Sequence, residues 1–78
     1  MPRPKTFRDI VKILKKHDPR FDVVQRRGKG SHRMICHPDI DGRKEAFPLV
    51  CHGEGTTIYA GYLSGIIRTF KLPSDIFD

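Results

Sequence analysis

Two apolar stripes at helical spacing bracket three strand-like runs, and 78 residues leave one core for all five elements to share. Phe7, Ile10, Val11 and Leu14 recur at i, i+3, i+4 and i+7. Thr6 stands in front of them as an N-cap, with Asp9 in the capping-box place, and Asp18-Pro19 stops the pattern. This predicts a helix over about 6–17. Tyr62, Leu63, Ile66, Ile67 and Phe70 form the second stripe and predict a helix over about 60–70 that ends before Pro73. Between them, β-branched and aromatic residues predict strands over about 21–26, 31–37 and 46–51, with Pro48 making the last an edge strand. Gly28-Lys29-Gly30 supplies the first turn, and Asp41-Gly42 marks the second within the connection 38–45. Gly61 and Gly65, four apart, let the second helix sit close to a sheet, and Ile76 and Phe77 tuck against the core. The expected architecture is a single α+β domain of order α-β-β-β-α, a three-stranded antiparallel sheet with two helices on one face. Double-stranded-RNA-binding domains share that order, which is an analogy of fold and does not itself give function.

The formal net charge is +6. Nucleic acid is the leading partner class for such a surface and an acidic protein the second. A membrane is expected to play no part, because no transmembrane run exists and the basic residues do not lie on one amphipathic helix with aromatic anchors. The lysines within Val11–Lys16 interrupt any signal-peptide core, so a cytoplasmic protein is the expectation. No cofactor is called for, and the chain is too short for a dinucleotide fold. Cys36-His37 and Cys51-His52 offer thiol and imidazole side by side. Adjacent strand residues point to opposite faces and the spacing is not that of a structural zinc site, so no metal is expected.

The stretch from Arg26 to His37 carries the chemistry. Arg26, Arg27, Lys29 and Arg33 surround His32, and Gly28 and Gly30 allow the tight backbone and a close approach to an anion. The first helix adds Arg8, Lys12, Lys15 and Lys16, either as a solvated face or as an extension of a nucleic-acid footprint. On a regular strand Ser31, Arg33, Ile35 and His37 share one face, and His32, Met34 and Cys36 the other.

Gly30-Ser31-His32, reached through the basic turn and followed by Arg33-Met34-Ile35, resembles the Gly-Ser-His signature of the HicA (YcfA-like) toxin family. The run Phe47–Gly53 and the closing Gly61–Arg68 are similar to that family's third strand and second helix, so the resemblance spans about residues 6–72. The chain departs from the family at Asp18-Pro19-Arg20, where many members carry glycine, and at Arg33, where an aromatic or histidine often stands. The resemblance implies an mRNA-cleaving toxin of a type II toxin–antitoxin pair, with a double-stranded-RNA-binding-like fold. It further implies His32 as the catalytic residue and a HicB-type antitoxin as the partner that masks it.

RNA carries its own nucleophile in the 2′-OH, and a histidine is suited to take that proton or to protonate the leaving oxygen. The expected reading is a metal-independent endoribonuclease using His32. Arg26, Arg27, Lys29, Ser31 and Arg33 are then candidates for RNA contacts, with Lys29 favoured over Arg33 at the scissile phosphate. His52 is a candidate second acid–base group or phosphate contact, provided the strands bring it to the same end of the sheet as His32. His37 is a weaker candidate because its strand carries it away from the turn. A non-catalytic RNA-binding module and a basic protein-interaction domain stand as alternatives.

Overall fold

The computed structural model describes residues 3–25 and 32–78. Its elements run β1 (Lys5–Thr6), α1 (Phe7–His17), β2 (Asp22–Gln25), β3 (His32–Ile40), β4 (Arg43–Val50), β5 (Thr57–Ile58) and α2 (Ala60–Phe70). The chain is α+β, with two helices and an antiparallel sheet in the order β2-β3-β4. A separate two-residue ladder pairs β1 with β5. Among the described residues no helix is long and apolar enough to cross a membrane.

Both helices form where their stripes lie. Thr6 Oγ1 accepts the Asp9 N–H at 3.2 Å, so the N-cap is made as the sequence implies. The Phe7 and Arg8 amides, which no helical carbonyl can satisfy, donate to Thr56 O and Glu54 O at 2.9 and 3.0 Å. The β4–β5 loop thus ties down the start of α1. At the other end of the fold, α2 closes on Lys71 in the left-handed region, and the Lys71 ammonium pairs with Asp41.

The β3–β4 hairpin is longer than the sequence pattern suggests. Asp41 and Gly42 have φ of 54° and 84°, the two positive angles of a primed two-residue turn, so Ile40 pairs directly with Arg43. The expected connection 38–45 therefore shrinks to that turn. Pro38 is tolerated in β3 because β2 reaches only as far as Cys36 and the register shifts between His37 and Ile40. Pro48 sits in β4, an edge strand, where a missing amide breaks no ladder on the open side.

Strand periodicity divides the sheet into a covered and an uncovered face. Ile35, His37 and Leu49 are buried on the helical side with Phe7, Ile10, Leu14, Leu63, Ile66 and Phe70. Val24 and Val50 lie exposed on the other face, paired with Met34 and His32 of β3 respectively. Only one of the two helix glycines makes the close approach that their spacing suggests. A Cβ on Gly65 would meet the Phe47 ring at 2.9 Å, whereas one on Gly61 would meet nothing.

Candidate active site

His32 opens β3 on the uncovered face, half-buried, and pairs in register with Val50 at the end of β4. His52 comes two residues after Val50, so the antiparallel pairing brings both histidines to the same end of the sheet, as the sequence reading required. The chain leaves strand geometry after Val50, and a small hydrogen-bonded loop shapes it there. The His52 amide donates to Thr56 Oγ1 at 3.0 Å, Thr56 N–H donates to Gly53 O at 3.1 Å, and the buried Cys51 thiol donates to the same carbonyl at 2.9 Å. His52 itself is exposed.

Arg33 follows His32 but projects to the opposite, helical face, with its guanidinium carbon 5.1 Å from the centroid of Phe7. It therefore does not share a face with His32, as strand periodicity demands. The residues assigned above to the basic turn and its contacts, Arg26, Arg27, Gly28, Lys29, Gly30 and Ser31, lie outside the described residues.

His37 is removed from the acid–base candidates by its surroundings. It lies on the covered face, five strand positions from His32 or about 16 Å along β3, and is 2 % exposed. The Asp39 N–H donates to its Nδ1 at 3.0 Å, so the ring proton sits on Nε2, which donates to Asp18 Oδ2 at 2.8 Å. Its ring meets Phe21 edge-on at 4.7 Å. The imidazole joins the end of α1 to the middle of the sheet. Sequence inspection misses this link because 19 residues separate the partners. Cys36 is equally unsuited to chemistry. Burial first, and the Asp22 carboxylate opposite it second, push its thiol pKa up and away from the reactive thiolate. Among the described residues no three His, Cys, Asp or Glu side chains gather as metal ligands.

Among the described residues, Asp18 carries the one strongly shifted carboxyl. The Arg20 guanidinium donates to it at 3.0 Å, the Arg20 amide at 3.0 Å, and His37 adds the third bond. Together, in that order of size, they hold Asp18 well below the usual carboxylate range. A depressed folded-state pKa gives stability that is complete above the ordinary value of 3.8 and is lost as pH falls below it. The melting-temperature gap between the native chain and Asp18→Asn should therefore be widest above about pH 5 and close toward pH 2. A gap that stays constant across that range would show that the Asp18 carboxylate contributes nothing through its charge.

No protein-family model, no curated protein and no solved structure matches this chain.

Proposed function

We propose that the protein is a metal-independent endoribonuclease with a double-stranded-RNA-binding-like fold, the mRNA-cleaving toxin of a toxin–antitoxin pair, as the HicA resemblance implies. The observation that carries the reading is the placement of His32, on the uncovered sheet face, and His52, in the loop just after β4, at one end of the sheet. In the sequence, the basic run Arg26-Arg27-Gly28-Lys29-Gly30 stands one residue before His32. In this reading His32 takes the proton of a ribose 2′-OH and the 2′-oxygen attacks the adjacent phosphorus. The bond from phosphorus to the 5′-oxygen breaks, and the leaving oxygen receives a proton from His52 or water. Arg26, Arg27 and Lys29 hold the phosphates, and Ser31 orients one of them. A HicB-type antitoxin would cover the exposed sheet face around Val24 and Val50 and so close the approach to His32.

The chemistry dictates the product ends. Purified, partner-free protein incubated with end-labelled single-stranded RNA in EDTA should yield 2′,3′-cyclic phosphate and 5′-OH termini. Products bearing 5′-phosphates would mean that water or hydroxide attacks instead, and the 2′-OH mechanism would be wrong. Tight, salt-sensitive binding with no cleavage would transfer the assignment to a non-catalytic RNA-binding module.

A further inference from the structure

A groove of about 280 Å³ runs between α1 and the β2 side of the sheet. Arg8, Lys12 and Lys15 form its helical wall, and Arg33 reaches it from β3. Among the described residues, none of these four cations forms an ion pair with a carboxylate. Two carboxylates, Asp22 and Glu54, also line the groove, which leaves cations in excess by two. Phe7 and Val11 give it an apolar floor. From these observations we infer that the groove is the track for the sugar–phosphate backbone of a single RNA strand leading to His32.

The spacing suits that ligand. Positions 8, 12 and 15 fall at i, i+4 and i+7, one step round the helix from the buried stripe, and so form a single row. The row is about 10 Å long at 1.5 Å per residue, the length of about three stacked nucleotides at ~3.4 Å each. A row of cations along that length can neutralise neighbouring phosphates, and the apolar floor takes the sugar or a base face. Orientation follows from the groove's ends. Arg33, beside His32 in β3, and Glu54, in the loop that carries His52, mark one end; Lys15 and Asp22 mark the other. A strand lying along α1 therefore leaves the groove at the end of the sheet where the two histidines stand, on the helical face, and reaches His32 by turning round that end to the uncovered face. This inference rests on RNA being the substrate, and it makes the α1 lysines part of substrate binding.

The test is a binding titration with a 12-nucleotide 2′-O-methyl RNA, which lacks the nucleophile and so cannot be cut by the route above. Removing three phosphate contacts from a single-strand site lowers the slope of log K against log salt by about 2. Arg8→Gln/Lys12→Gln/Lys15→Gln should show that drop, with affinity weakened about tenfold or more at low salt. A charge-matched variant away from the groove, Arg43→Gln/Lys44→Gln/Arg68→Gln, should keep the native slope. Glutamine is a good helix former at these exposed sites, and Lys12→Gln alone should still lower the slope by about 0.7. Equal losses in the two triple variants, or an unchanged slope in the groove variant, would overturn the track. So would an absence of salt-dependent RNA binding by the native chain, which would leave the groove to an acidic protein segment. Failure of the ribonuclease reading is separate: ordinary RNA would survive intact while the 2′-O-methyl strand still bound through the groove.

Discussion

His32→Ala should lower RNA cleavage by about 10²–10⁴-fold, the range for loss of a positioned general acid–base group. Binding of the uncut RNA should persist. His32 is half-buried at the first position of its strand, on the face that no helix covers. Circular dichroism and thermal melts of the variant separate loss of chemistry from loss of fold. His32→Gln sharpens the comparison, because the amide keeps hydrogen-bonding capacity and much of the volume but exchanges no proton near neutral pH. Both variants should be equally inactive if proton transfer is the role. A glutamine variant that cleaves well while the alanine variant does not would assign His32 to positioning the substrate. Full cleavage by both would remove His32 from the mechanism altogether. A small residual rate is expected in either variant, since phosphate contacts and a fixed substrate geometry still favour the in-line attack.

Phe77→Ala should cost about 3–5 kcal/mol, the usual range for deleting a buried aromatic side chain. Phe77 is fully buried, although it lies beyond the last helix. Two turns fold the chain back: the Ile76 amide donates to Pro73 O at 3.1 Å, and the Asp78 amide donates to Asp75 O at 3.0 Å. The ring then lies close to Arg3 and Lys5 at the other end of the chain and belongs to the same core as both helices. A domain of this size has roughly 5 kcal/mol or a little more of total stability, so the variant should be only marginally folded, with a measurable unfolded fraction at 37 °C. Phe77→Leu keeps most of the volume and should cost about 1–2 kcal/mol. Urea melts of both variants measure the difference. A loss below about 1 kcal/mol for alanine would mean that the segment is peripheral and the core closes without it.

Much of the architecture was legible because short-range physics decides it. The stripes Phe7–Leu14 and Leu63–Phe70 needed only helical periodicity and an apolar interior, and Thr6 and Asp41-Gly42 are local devices that act over three or four residues. The alternation that separates His32 from Arg33 is a property of any strand, and the structure keeps it. Where β3 and β4 end was less legible. A two-residue primed turn lets pairing continue right up to it, and no local residue preference announces how far a ladder extends.

Tertiary structure alone decided which residues meet. Antiparallel register puts His52 beside the start of β3, because β4 runs back along it and Val50 pairs with His32. Packing α1 against the sheet lines Arg8, Lys12 and Lys15 up opposite Arg33, turning what looked like a solvated helix face into one wall of a groove. His37, a strand-ending histidine in the sequence, becomes a buried clamp once Asp18 arrives from the end of α1. These are long-range contacts. Local sequence sets each side chain's direction, but what it meets depends on the position of another element, and burial in one small core settles that position.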